Sequence, residues 1–173
     1  PFTQAEEWEH QAENLVIERG EGVWLIDTEG NRYLDGTASL WCNVLGHRHP
    51  RIDAAIRAQL DRVAHTTMLG LTHPGAIEHA ERLRALTGLD RVFYSDSGST
   101  AVEVALKMAF QAKQQRGETR RTRFAALTEA YHGDTVGSVS LGGIELFHGI
   151  YRPLLFEALR IHAPERAELH PVR

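Results

Sequence analysis

Cysteine is almost missing from this sequence of 173 residues: Cys42 stands alone. No internal disulfide framework can form, which fits a reducing cytosol. Lysine is nearly as scarce, since Lys107 and Lys113 are the only two and every other strongly basic side chain is an arginine. The formal net charge of -4 leaves no basic footprint, so nucleic acid is not an expected partner. No apolar run approaches the roughly 20 residues of a membrane span, and the start lacks the pattern of a signal peptide. The expectation is a cytoplasmic protein that handles small molecules. Two familiar phosphate motifs are missing as well. No Gly-x-x-x-x-Gly-Lys-Ser/Thr occurs, which removes the P-loop, and no Gly-x-Gly-x-x-Gly follows a strand, which weakens a dinucleotide reading.

What is present is ordinary for a folded domain. Hydrophobic residues make up 42% and charged residues 24%. A chain of this length buries one core, or one domain plus part of another. It starts at Pro1 without Met and stops at Arg173 in a polar stretch, Pro164-Glu165-Arg166-Ala167-Glu168, with no closing element. Both ends read as boundaries of a fragment.

Ile17 to Asp35 alternates and turns like a small antiparallel meander. Val23–Asp27 is one strand, Glu29-Gly30-Asn31 the turn and Arg32–Asp35 the return strand. Thr37 to Pro50 carries Trp41, Asn43, Gly46, His47 and His49 without any period and reads as a functional loop. Ile52, Ala55, Ile56, Leu60 and Val63 recur at helical spacing behind Pro50. After a second loop, His65 to Pro74, the stripe Ile77, Ala80, Leu83, Leu86 predicts a helix closed by Gly88. Arg91–Tyr94 reads as a short buried strand, and Thr100 to Arg116 as a helix ended by Gly117, with Thr100 and Glu103 as its capping box. Phe124–Thr128 is the next strand. Strand, helix, strand is a βαβ unit, which implies a parallel sheet with a right-handed crossover.

The chemistry concentrates in two loops. Ser95-Asp96-Ser97-Gly98-Ser99-Thr100 joins the strand to the helix, aiming backbone N–H groups, hydroxyls and a helix dipole at one spot suited to a phosphate dianion. Taken alone, the same residues suit a plain N-capped turn equally well. Tyr131-His132-Gly133-Asp134-Thr135 follows the second strand, at the sheet edge where open α/β folds bind ligands. Its ring is placed to stack on a planar ligand or to wall a pocket. Of the ten histidines, His47 and His49 form the closest pair, but no acidic residue lies at a matching ligand interval. No metal is expected. His47, His49, His65, His73 and His79 read as loop hydrogen-bonders or solvent-facing residues, and Cys42 as a small buried residue with no base beside it.

Three stretches carry a resemblance to a known family: Ser39 to Pro50, Tyr94 to Ala109, and Tyr131 to Thr135. Together they resemble the class III pyridoxal-phosphate aminotransferases, and within them the branch acting in biotin biosynthesis. Pro1-Phe2-Thr3-Gln4 and Ile144–His148 match that branch too, and the resemblance runs to about Glu157. The implied fold is α/β, that of the fold-type I PLP-dependent transferases. A small antiparallel meander precedes the first part of a mainly parallel large domain. Residues 1–49 would be part of the small domain and an active-site loop, and residues 50–173 the incomplete cofactor domain.

The resemblance also assigns roles. Gly98 and Ser99 match the pair that holds the phosphate of pyridoxal 5'-phosphate, with Thr100 beside them. Tyr131 matches the residue that stacks on the pyridine ring and borders the substrate. Trp41 matches the aromatic wall of the keto-acid pocket, suited to cover an apolar chain. Leu40 stands where relatives often carry a first tryptophan, so that wall is altered. Phe2 stands where relatives that use S-adenosylmethionine carry Tyr, which leaves the amino donor open between S-adenosylmethionine and lysine and leans it toward lysine. The implied reaction is transamination of 8-amino-7-oxononanoate to 7,8-diaminononanoate by a homodimer. No catalytic residue falls inside this segment. The Schiff-base lysine and the pyridinium-pairing aspartate of the family come beyond Arg173, and Lys107 and Lys113 sit on the helix behind the phosphate. The segment alone is expected to be inactive. The alternatives are another class III ω-amino acid or diamine aminotransferase, a phosphate-binding module without catalysis, and a zinc hydrolase built on the histidines.

Overall fold

A computed structural model describes residues 15–163. The chain divides into two compact units, Pro1–Glu78 and His79–Arg173. Phe2, and the polar tail from Pro164, lie outside the described residues.

The first unit opens with the expected meander. Strands β1 (Ile17–Glu21), β2 (Trp24–Asp27) and β3 (Arg32–Leu34) pair antiparallel in chain order. The β2–β3 turn closes because the Asp27 carboxylate collects four donors. Oδ1 accepts the N–H groups of Glu29 at 3.0 Å and Asn31 at 2.8 Å. Oδ2 accepts the Asn31 amide at 3.0 Å and the Tyr33 hydroxyl at 2.9 Å. These hydrogen bonds, the Asn31 amide first among them, hold the buried Asp27 carboxyl below its ordinary pKa against the opposing effect of burial. Helix α1 (Pro50–Leu60) starts at its proline, and helix α2 (Pro74–Thr87), whose residues fall on both sides of the division, ends before Gly88, as the spacing predicts.

The aperiodic stretch after β3 is not wholly irregular. Ala38, Ser39, Leu40 and Trp41 form one left-handed turn, with φ of 49, 49, 59 and 67°. Left-handed backbone costs about 1–2 kcal/mol per residue for a side chain with Cβ, and it rarely occurs in series. Cys42 follows it exposed, correcting the expectation of a buried thiol. Leu40 and Trp41 of this turn are themselves largely exposed, so the small side chain beside them has little to pack under among the described residues.

The second unit is built on helix α3 (Gly98–Gln115). Its cap differs from expectation: Ser97, not Thr100, is the N-cap, and Thr100 is the third helical residue that closes the box. The pairing is reciprocal, with Thr100 N–H on Ser97 Oγ at 3.3 Å and Ser97 N–H on Thr100 Oγ1 at 2.9 Å. Glu103 is thereby released for another task. Its Oε1 accepts the N–H of Gly137 at 2.7 Å, at the start of helix α4 (Val136–Leu141). Helix α4, for which the sequence offered no signal, carries the run of buried residues Gly137, Ser138, Val139 and Ser140. After it come a short helix α5 (Glu145–His148) and a 3-10 turn (Gly149–Leu154).

The parallel ladder is real, but its members differ from those expected. Strand β4 (Ala125–Leu127) pairs in parallel with β5 (Leu159–Ile161). Arg91–Tyr94 belongs to neither sheet, and Phe93 is 64% exposed, so this stretch is not the buried strand of a βαβ unit. The physical reason is the lack of a neighbour. A strand exists through a ladder, and among the described residues β4 takes β5 as its partner instead.

Candidate cofactor site at the start of helix α3

The turn before α3 and the loop after β4 meet. Asp134 N–H donates to Ser99 Oγ at 3.3 Å. Gly133 makes this approach possible, because its φ is +115° and any Cβ there would collide with the Ser99 side chain. Two stretches some thirty residues apart in sequence, each noted for its chemistry, thus form one surface.

At that surface the α3 terminus offers an anion the N–H groups of Gly98 and Ser99, which have no partner among the described residues. The Ser99 hydroxyl accepts from Asp134, so its own hydrogen is available to donate. The 18-residue helix adds its dipole. Nothing lies within 4 Å of a Cβ built at Gly98, so the cradle is open. Thr100 contributes less than expected. Its hydroxyl donates to Ser97 O at 2.9 Å and accepts from Ser97 N–H, so it serves the cap.

Tyr131 stands half-exposed beside the turn. Its hydroxyl donates to Asp134 Oδ2 at 2.7 Å, and this bond to a carboxylate is the main reason its pKa lies above the ordinary phenol value. The Tyr131 ring lies nearly parallel to that of the buried His148, with centroids 6.3 Å apart and planes 15° apart. His148 Nε2 approaches the other oxygen of Asp134 at 3.8 Å. Asp134 therefore ties Tyr131 to Ser99, with His148 alongside. It was visible in the Tyr-His-Gly-Asp stretch, but only the fold shows what it does.

Leu40 and Trp41 belong to the first unit, on the left-handed turn, 72% and 74% exposed. Lys107 lies nine residues into α3, about 14 Å along the axis from Gly98 at 1.5 Å per residue. Lys113 is engaged with Glu118 at 3.1 Å. Neither lysine reaches the turn. Among the described residues no group of three or more His, Cys, Asp or Glu is gathered as a metal site. His47 instead hydrogen-bonds Asp35, and His73 accepts the Ala76 N–H.

The chain belongs to the class-III aminotransferase family, whose model matches residues 5–170. It is 62% identical over 168 residues to the adenosylmethionine-8-amino-7-oxononanoate aminotransferase of Nitratidesulfovibrio vulgaris, covering 95% of this chain and 31% of that protein. The enzyme of the same name from Geobacter sulfurreducens is 55% identical, with 95% and 36% covered. The crystal structure of the Methanocaldococcus jannaschii enzyme of that name superposes with a TM-score of 0.88 at 48% identity, over 95% of this chain and 38% of that one. An amine transaminase from an uncultivated Pseudomonas species, in its PLP-bound form, gives 0.81 at 41% identity, over 90% and 36%. The fold is that of the PLP-dependent class III aminotransferases. The chain spans about a third of the length of these relatives.

Proposed function

We propose that this chain is the first part of a pyridoxal-phosphate-dependent aminotransferase that converts 8-amino-7-oxononanoate to 7,8-diaminononanoate in biotin biosynthesis. The observation that carries the reading is the docking of the Tyr131 loop on the α3 turn through Asp134 and Ser99. An anion cradle and an aromatic ring side by side suit a phosphorylated heterocycle, and the residues present fit that cofactor. When bound, pyridoxal phosphate supplies the electron sink that lets an amino group pass from donor to acceptor.

The residues of this chain bind and orient. Gly98 and Ser99 hold the phosphate through two N–H groups and one hydroxyl. Tyr131 covers the ring, kept in plane by Asp134 on its hydroxyl and by His148 behind it. Trp41 and Leu40 line the path of the substrate's apolar chain and keep water from it. The lysine that anchors the cofactor and the acid that pairs with its ring nitrogen come from sequence after Arg173. Residues 1–49 contribute to the small domain and residues 50–173 to the large one, in a cytoplasmic homodimer.

S-adenosylmethionine is the proposed amino donor, supported by the shared name of the relatives at 62% and 55% identity. Lysine is the second reading, favoured by Phe2 in place of tyrosine. The test is the full-length protein carrying this chain, loaded with pyridoxal phosphate and given 8-amino-7-oxononanoate with either donor. Diaminononanoate is expected with S-adenosylmethionine. Product with lysine alone reverses the donor assignment, and product with neither overturns the reading.

A further inference from the structure

We propose that Asp35 and His47 are positioning residues for the substrate wall, a clasp that holds the left-handed turn bearing Leu40 and Trp41. The proposal rests on the aminotransferase reading for its substrate, but not for its geometry. In sequence His47 reads as a loop hydrogen-bonder and Asp35 as the end of the return strand.

The clasp is a chain of contacts from the meander to the turn. Asp35 Oδ1 accepts the Ser39 N–H at 3.0 Å and Oδ2 accepts the Ser39 hydroxyl at 2.9 Å, so one carboxylate grips both hydrogen-bond donors of a left-handed residue. Oδ2 also accepts from His47 Nε2 at 2.7 Å, where the two side chains are only 6% and 14% exposed. The other ring nitrogen, Nδ1, faces the Asn43 side-chain amide at 3.4 Å. The His47 backbone is pinned in turn by a two-way bridge to Gly22, at 2.7 and 3.1 Å. Its imidazole rests on Gly20, where a Cβ would lie 2.5 Å from Cγ. The Ser39 and His47 bonds also keep the Asp35 carboxyl below its ordinary pKa, so it stays an acceptor at neutral pH.

The clasp answers a problem that the turn poses. Leu40 and Trp41 are largely exposed, so packing within their own unit does not hold them in an unfavourable backbone region. Strained backbone persists only where surrounding contacts over-determine it, and it concentrates where side chains must be aimed. Asp35 and His47 provide that determination. Because the wall touches the part of the substrate that does not react, its loss weakens binding before and during the reaction alike.

The test uses the full-length holoenzyme with two variants that break the clasp at opposite ends. Asp35→Asn keeps an oxygen for the Ser39 N–H but removes the acceptor for His47. Gly20→Ala leaves Asp35 intact and pushes the imidazole off its seat. Both variants are expected to raise KM for 8-amino-7-oxononanoate about tenfold, with kcat within about twofold and the cofactor absorbance unchanged. Both are also expected to speed amide hydrogen exchange across residues 38–46, a readout that needs no substrate. Unchanged exchange overturns the proposal, because the clasp then does not hold the turn. Faster exchange with unchanged KM overturns it too, because the turn then does not position the wall. A wild type that never aminates 8-amino-7-oxononanoate refutes the functional reading and leaves the exchange result to decide the clasp.

Discussion

Gly133 and Tyr131 divide the work of the second loop between approach and coverage. Any side chain at Gly133 both meets Ser99 and must adopt a φ of +115°, so Gly133→Ala lifts the loop off the α3 turn. Titration of the apoenzyme with pyridoxal phosphate should show affinity at least tenfold weaker, followed by the cofactor's visible absorbance. Tyr131 permits a cleaner separation. Tyr131→Phe keeps the ring and removes only the bond to Asp134, so cofactor affinity should stay within about threefold. Tyr131→Ala removes the stacked ring and should cost about tenfold, the scale of one aromatic contact. Equal effects of the two substitutions would mean that the hydroxyl, not the ring, makes the contact.

At the scale of elements, the Ser97 cap holds the start of α3 in the shape that an anion meets. Ser97→Ala removes the acceptor for the Thr100 N–H and should cost about 1 kcal/mol, the usual loss for an N-cap serine. Calorimetry of the full-length protein should find a melting temperature lower by about 1–2 °C, since the shift shrinks as chain length grows. The elements that were legible in the sequence are those with local causes. The meander shows through its alternation and the Asp27 turn, and α1 and α2 show through apolar spacing, Pro50 and Gly88. The Ser97–Thr100 turn and the Tyr131 loop stood out through composition. What stayed hidden is non-local. Helix α4 is too short to show a period, and β5 reads as strand only beside β4. Glu103, three residues after Thr100, suits a capping box in sequence, yet in the fold it reaches Gly137 instead. The left-handed turn gives no sign in its residues, since Ala-Ser-Leu-Trp has no glycine to mark it.

For the molecule as a whole, three carboxylates among the described residues contribute to the response to acid. Asp27, Asp35 and Glu118 all have pKa values below the ordinary ones, through hydrogen bonds from Asn31, from Ser39 and His47, and from Lys113 respectively. A depressed folded pKa contributes stability that is complete above the unfolded value, near 4 for these groups, and lost as pH falls through the folded value. Circular dichroism should therefore show unfolding setting in below about pH 4, and Asp27→Asn should lessen that dependence while lowering stability at neutral pH. Among the described residues the buried apolar core is small, with Ile26, Ala126 and Val139, while Leu69, Leu86 and Leu146 are 90%, 83% and 87% exposed. The isolated 173-residue polypeptide should accordingly bind a hydrophobic dye, self-associate at micromolar concentration, and show no transamination.

The two-stranded ladder of β4 and β5 has a temporal consequence. Three residue pairs joined in parallel do not persist in water without flanking strands. Their registration must await neighbours recruited over long sequence separations, which is the slow kind of assembly. During synthesis the ribosome would release the meander and α1 early, as units able to settle at once. The Tyr131 loop, hung from the end of β4, would take its final place only when the sheet is filled, so the competence to receive cofactor should emerge among the last events of maturation.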